Sequence, residues 1–567
     1  MQNWDLRTAR RAGSLGVLLL ILSGCGGGGS QPSSPPPTYT VGGTVTGLST
    51  SASLVLSNNG GDATTVKANG TFTFPTPIAL GGQYAVAVAT SPMNETCVVS
   101  SGTGTIASTN VTNVSINCTP TTFTVGGTVS GLASGTSVVL LDNGGDSTTV
   151  KSNTQFTFPT AITTGGLYTV TISKQPAYQG CLVVAGSGQV ALANVTNVQI
   201  HCPVFTLIDN LGFGTDGANP QSGPILGSDG NFYGTTGDGG LTDDGAVYSL
   251  TAAGSESIVA SFAGGTASRG PVGALLQASD GNFYGTTYYG GMNNNGTVFK
   301  LAPDGTITTL WSFGSSSDGQ YPDAGLVQAS DGNFYGTTAS GGTTGYGTVF
   351  RMTPGGVETV LWNFGTGMDG YAPKCTFVIG SDGNLYGTTS LGGTNGNGTI
   401  IKVTLAGVET VVWNFGGTVE GFLPAPSLII GSDGNFYGTT EGGGANAGGT
   451  LFKFTLAGTL SVVWAFGAGT DGSGPWSGVT QGTDGNFYGT TVTGGTIQSC
   501  GASNYGCGTI FRITPAGEET VLWDFGFGGN GAQVNPLSVV QSADGSLFGV
   551  TSFGGPAGGG SIYQLTL

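Results

Sequence analysis

Charge is scarce in this chain. Asp, Glu, Lys and Arg make up 8% of its 567 residues, against roughly 25% in an ordinary soluble domain. The scarcity is lopsided, with 13 basic residues facing 30 acidic ones and a net charge of −17. Nucleic acid is thereby excluded as a partner, because neutralising phosphates needs clustered Lys and Arg. Histidine is nearly absent as well: the chain has 1, which removes multi-His metal sites and imidazole proton relays. His201 stands once beside Cys202 with no second pair nearby, so a Cys/His metal site fails too, and neither metal nor cofactor is expected. Helical amphipathic periodicity is missing after the N-terminus, as is any apolar run long enough to span a bilayer. What abounds is glycine, 109 residues, with 24 prolines. Such a composition borders on low complexity, yet aromatics at 9% supply the core material that disordered chains lack.

The N-terminus reads as an address. Arg7, Arg10 and Arg11 precede an apolar run from Leu15 to Leu22, followed by Ser23, Gly24 and Cys25. Basic flank, apolar stretch and small residues make a secretory signal over 1–24. Leu22-Ser23-Gly24-Cys25 resembles the bacterial lipobox, which implies cleavage before Cys25 and lipidation of that cysteine. Two or three acyl chains anchor stably where one would not. The expected location is the cell envelope, at the outer membrane, since Gly26 rather than Asp follows the cysteine. Membrane contact is expected through this anchor only. Residues 25–38 form a Gly/Ser/Pro tether.

Two duplicated modules follow, over 39–119 and 120–203. Val41-Gly-Gly-Thr-Val-Thr-Gly-Leu48 recurs as Val125-Gly-Gly-Thr-Val-Ser-Gly-Leu132, an offset of 84. Short β-branched runs between Gly, Asn and Ser turns predict small antiparallel sandwiches. They resemble the Ig-like stalk domains of bacterial surface proteins. Cys97 with Cys118, and Cys181 with Cys202, keep the same offset and predict one disulfide in each module.

The remainder, 204–567, carries a longer period. Asp229, Asp280, Asp331, Asp382, Asp433 and Asp484 sit in Asp-Gly pairs spaced by 51, with a degraded copy at Asp544. A period near 50 signals a propeller or an array. Four strands are legible per copy. Around Asp331 they run Gly325 to Ala329, Asn333 to Thr338, Thr348 to Thr353 and Glu358 to Phe364, with Asp331-Gly332 read as a primed two-residue turn. The last copy lacks its fourth strand, which Val204 to Leu211 would provide from the other end. The expected fold is therefore all-β: two small Ig-like β-sandwich modules, then a seven-bladed β-propeller closed by an N-terminal strand clasp. These repeats resemble the bacterial extracellular tandem repeats called GloVer repeats, a family that implies no particular chemistry.

Candidate site residues come from the loops. Asp216, Asp318, Asp369, Glu420 and Asp471 stand 13 residues before the turn aspartates, between fourth and first strands. Aromatics accompany them: Tyr288, Tyr289, Tyr321, Tyr371, Phe422 and Trp476. Acid and aromatic on one rim suit sugars or cations. Lys300, Arg351, Lys402, Lys453 and Arg512 share one register of the third strand, and Glu358, Glu409 and Glu519 lie seven residues beyond their copies' cations. Cross-strand ion pairs are expected there. Cys500 and Cys507 flank an insertion and predict a third disulfide, leaving Cys375 buried and free.

The function these readings favour is non-catalytic: a monomeric envelope lipoprotein whose propeller binds a glycan, a cell-wall component or another surface protein. One rival is a propeller glycosidase or lyase using rim carboxylates, which needs two carboxyl groups in divergent environments. The other is a purely structural surface scaffold.

Overall fold

The computed structural model describes residues 34–212, 215–314, 317–365, 368–496, 507–525, 536–555 and 557–567. The signal sequence, Cys25 and Cys500 lie outside them. Every element among the described residues is a strand, as β-branched runs punctuated by Gly and Asp turns dictate. The chain divides into two compact units after Thr121.

In the first unit, Gly70–Thr73, Val41–Thr46, Val111–Pro120 and Glu95–Ser100 form one sheet. Asp62–Val66, Leu54–Asn58, Gln83–Thr90 and Thr103–Thr105 form a second. Strand alternation sends Val45, Leu56 and Ile116 into a common core. Cys97 and Cys118 face each other across an antiparallel pair and are joined by a disulfide.

The second unit begins with the same design. Val129, Leu140 and Ile200 occupy the corresponding core, and Cys181 is bonded to Cys202. Residues 178–180 of this module lie along the strand Glu519–Asp524. Gln179 bridges Trp523, the Gly180 N–H donates to the Leu522 carbonyl at 3.0 Å, and the Asp524 N–H to that of Tyr178 at 3.1 Å. A Cβ on Gly180 would sit 1.8 Å from the Val521 carbonyl oxygen, so the approach requires glycine. Leu522, Trp523 and Asp524 are buried as a result, whereas their counterparts Leu361, Trp362 and Asn363 are only half-buried.

Among the described residues seven four-strand paths follow, one per copy. In the third copy they are Val327–Gln328, Phe334–Thr338, Thr348–Met352 and Glu358–Asn363. Phe334–Thr338 is buried on both faces. Gly336 is small for a reason: a Cβ there would lie 2.7 Å from the ring of Phe350. At the end of the same strand, Thr338 and Thr348 share a hydroxyl hydrogen bond of 2.9 Å. The seventh path joins Val540–Gln541, Leu547–Thr551 and Ser561–Thr566 to Val204–Asn210. Val204 pairs with Thr566 and Asn210 with Ser561, antiparallel, so the strand expected from the other end of the region is in place.

One contact recurs between successive sheets. Tyr233 meets Phe283 at 4.4 Å, Tyr284 meets Phe334 at 4.3 Å, Tyr386 meets Phe436 at 4.4 Å, and Tyr437 meets Phe487 at 4.3 Å. The corresponding residue of the seventh sheet, Phe548, meets Phe232 of the first at 4.4 Å. Beside it the Ser552 hydroxyl donates to the Pro220 carbonyl at 2.7 Å.

Two local expectations are corrected. The Asp-Gly turns are not of the primed type, which needs positive φ at both central residues. Gly332 is left-handed, at φ 80°, but Asp331 is not, and the Ala329 N–H reaches the Asn333 carbonyl at 3.0 Å. That is a three-residue loop with a glycine bulge. The third-strand cations do not pair with Glu358, Glu409 or Glu519 either. Lys300, Lys402 and Lys453 bind Asp280, Asp382 and Asp433 at 3.5, 3.5 and 2.7 Å. The cause is register: Glu409 stands opposite Val403, one residue beyond Lys402 and so on the other face.

Candidate functional site

The loop from fourth to first strand makes the same turn in most copies. Asn219, Tyr321, Ala372 and Leu423 are left-handed, with φ of 57°, 54°, 52° and 54°, and Gly270 and Gly474 occupy the same position. For a residue with a side chain this is a costly conformation. A proline follows each of them, and the residue after the proline turns inward. Gln221, Val272, Asp323, Lys374, Trp476 and Leu537 all line one pocket of about 330 Å³. The fifth copy, with Ala425 at this position, contributes Pro426 and Ser427. All seven copies therefore share this pocket, and each offers a different residue after its proline.

The chemistry of the pocket is mixed. Lys374 Nζ lies 2.8 Å from Asp323 Oδ2. Burial disfavours the ammonium, but the Asp323 carboxylate prevails and holds the Lys374 pKa above its ordinary value. Next to Asp323 but outside the pocket lining, the Tyr288 phenol is pushed up, by burial first and by Asp323 second. Its ring stacks on Tyr321 at 5.0 Å and meets Tyr289 edge-on at 4.9 Å. Arg269 lies 5.3 Å from the centre of the Tyr289 ring, held by Asn294 Oδ1 at 2.9 Å. Trp476 is 47% exposed, and the buried Ser222 hydroxyl has no hydrogen-bond partner. The pocket offers an aromatic face, an ion pair and hydroxyl groups to a small ligand, and its volume lies in the range of ligand sites, roughly 300–1,000 Å³.

The expected rim residues divide among several places. Tyr288, Tyr289 and Tyr321 form one aromatic cluster, and Trp476 lines the shared pocket. Asp369 and Tyr371 line a separate hollow of about 410 Å³ with Tyr346. Phe422 pairs with Gly442, across which its ring lies. The acids brace their own loops: Asp318, Asp369, Glu420 and Asp471 accept the N–H of Gly314, Gly365, Gly416 and Gly467, four residues earlier. Asp216 is half-buried in the corresponding loop. Cys507 is disulfide-bonded, and its expected partner Cys500 lies outside the described residues. Cys375 is buried and free. Asp323 and Lys374 were not among the expected residues. Their signal was present nonetheless: the position after the proline differs in every copy while its surroundings repeat.

The turn aspartates do more than turn the chain. Asp331 Oδ1 accepts the Asn333 N–H at 3.0 Å, and Oδ2 accepts the Tyr335 hydroxyl at 2.7 Å. Elsewhere Glu95, Cys97 and Cys118 converge, but both cysteines are consumed in a disulfide.

Residues 179–379 and 359–526 match the family model described as the Gloeobacter/Verrucomicrobia repeat. No curated protein matches the chain. Among solved structures it is similar to virginiamycin B lyase from Staphylococcus aureus, at 15% identity over 64% of this chain and 99% of that one, with a TM-score of 0.43. A gluconolactonase from Xanthomonas campestris is 11% identical over 64% and 89%, with a TM-score of 0.34. The PQQ-bound aldose sugar dehydrogenase from Streptomyces coelicolor is 17% identical over 52% and 93%, with a TM-score of 0.32. At these values the similarities assign no activity.

Proposed function

We propose, for a chain that belongs to the Gloeobacter/Verrucomicrobia repeat family, a lipid-anchored envelope protein whose seven sheets close into a seven-bladed propeller that binds a glycan without cleaving it. The observation that carries this reading is the shared pocket, to which all seven copies contribute and where six equivalent positions present six unlike residues. Closure is supported by the Phe548–Phe232 contact, which repeats between the last and first sheets the packing found between successive ones. Trp476 supplies a face for a sugar ring, and Lys374, Asp323 and the serine hydroxyls supply orienting hydrogen bonds. Among the described residues Asp323 is the one carboxylate lining the pocket, and it is committed to Lys374. Hydrolysis of a glycosidic bond ordinarily needs a pair.

The two small modules act as Ig-like spacers between anchor and propeller. Their disulfides suit an oxidising compartment, and the lipobox-like Leu22–Cys25 places the anchor. The test is a glycan array probed with the full chain. A bound glycan whose signal falls in Trp476→Ala and Lys374→Ala supports the reading. Cleavage of a polysaccharide that is abolished in Asp323→Asn would overturn its non-catalytic part, and retention of all binding by both variants would overturn the site.

A further inference from the structure

A second cavity, of about 450 Å³, lies where the second module meets the fifth and sixth copies. Gln175, Tyr178 and Gln179 come from the module, and Trp464, Asp471 and Glu519 from the repeats. The repeat trio is a general feature of the fold: Trp311, Asp318 and Glu358 hold the same positions at the junction of the second and third copies. Here the module, fixed to Glu519–Asp524 through Gln179 and Gly180, adds a wall and turns an inter-sheet seam into a chamber. Tyr178 is held left-handed, at φ 69°, a strained conformation for an aromatic residue.

The polar groups facing this chamber are incompletely matched. Asp471 is 8% exposed, and its Oδ1 accepts the Gly467 N–H at 3.1 Å. Its Oδ2, Glu519 Oε1 and the Trp464 indole N–H are buried short of full hydrogen-bond geometry, as are Asp318 Oδ2, Glu358 Oε1 and the Trp311 indole at the other junction, but only here does the module enclose them in a chamber. Burial raises the Asp471 carboxyl, and the Trp464 indole N–H, aimed at it as a long hydrogen-bond donor, works the other way, as Trp362 donates to Asp369 at 3.2 Å at an equivalent junction. Burial, then the Asp471 charge, pushes Glu519 up to about 8, which favours its protonated, hydrogen-bond-donating form. Glu519 Oε1 and the loosely matched Asp471–Trp464 pair thus face one chamber with hydrogen-bonding capacity to spare.

A metal ion answers the carboxylate but would face the indole N–H dipole, and Asp524, the third acid lining the chamber, accepts from Thr496 and does not converge with this pair among the described residues. A hydroxyl group both donates and accepts, and a pyranose carries several on a ring whose C–H face packs against aromatic side chains. We propose that this chamber is a second carbohydrate site, taking one uncharged pyranose unit between Trp464, Asp471 and Glu519 with Tyr178 opposite. It is independent of the pocket shared by the seven copies.

The experiment titrates the full chain with D-glucose, D-galactose, D-mannose and N-acetyl-D-glucosamine, read by saturation-transfer NMR. At least one sugar is expected to bind, and Trp464→Phe and Asp471→Asn should each weaken it about tenfold, the loss of one good hydrogen bond. Trp464→Phe keeps the ring and removes only the N–H, so it reports on binding even where Asp471→Asn disturbs its loop. In a Trp476→Ala background, which removes the aromatic face of the first pocket, the sugar binding that remains should still be weakened by Trp464→Phe. Absence of binding by all four sugars at about 50 mM, or wild-type affinity in both chamber variants, overturns the proposal. Binding lost in Trp476→Ala alone also overturns it, while leaving the first pocket standing.

Discussion

Phe232 and Phe548 stack at a centroid distance of 4.4 Å although they belong to the first and last sheets of the repeat region. Internal junctions use the same packing, as between Tyr386 and Phe436 at 4.4 Å. If the sheets close into a ring, the seam carries the same load as any other junction. Phe548→Ala and Phe436→Ala should then each destabilise the repeat region by about 3–5 kcal/mol, the usual cost of emptying an aromatic site. Chemical denaturation of the two variants checks this, and a seam variant close to wild type would mean an open array.

Removing residues 204–213 should prevent stable folding of the region that follows. Without them Ser561–Thr566 loses its partner strand, and an unpaired apolar edge is left in the last sheet. The check is a thermal melt with limited proteolysis; unchanged melting would refute the closing role of this strand.

Stability should depend on pH in two opposed ways. Glu256, Glu358 and Glu409 are pushed up to about 7, and Glu519 to about 8, from 4.5, by burial first and a neighbouring carboxylate second. Between those values the folded state holds protons that the unfolded chain has released, so stability falls as pH rises from about 4.5 to 8. The turn aspartates have the opposite sign. In Asp382 burial is outweighed by hydrogen bonds from Asn384 and Tyr386, which bring the carboxyl from 3.8 down to about 2. Its contribution is present above pH 3.8 and is lost as pH falls towards 2. Melting temperature should therefore peak near pH 4–5, and Glu519→Gln should flatten the alkaline limb. A melting temperature that climbs from pH 5 to 8 would contradict the assignment.

Gly180→Val should release the second module from the sixth copy, since any Cβ meets the Val521 carbonyl oxygen. Hydrogen exchange at the Asp524 amide, which donates to Tyr178 in the docked state, should rise at least tenfold while amides in Phe334–Thr338 stay protected. Equal protection in the variant would show that the module is held by other contacts.

Lipid attachment is open to a direct check. Cells supplied with labelled palmitate should label the wild-type chain and not Cys25→Ala. Label retained by the variant would remove the anchor from the proposed function.

Much of this architecture could be read before any coordinates. The Asp-Gly turn falls once per copy, so its period counts the copies. Strand limits followed closely: Glu358 to Phe364 was expected and Glu358–Asn363 is found. The turn type was missed because Asp-Gly serves both a primed turn and a three-residue loop, and φ at Asp331 decides between them. The ion pairs were missed for a geometric reason. Lys402 and Glu409 lie near each other along the chain, but a single step of register puts them on opposite faces, and Asp382 on the other neighbouring strand takes the cation. Gly180 gave no warning among so many glycines, because its role is set by a strand more than three hundred residues away.

The position after each proline has a further consequence. Gln221, Val272, Asp323, Lys374 and Trp476 line the pocket and belong to none of the buried clusters between sheets, whereas Leu537 packs on the cluster of Phe232 and Phe548, so the first five can be exchanged with the Tyr–Phe contacts and threonine bridges intact. Folding and recognition thus draw on separate alphabets within one repeat. Duplication and drift can compose a new specificity from these five letters, one substitution at a time, without asking the scaffold to change.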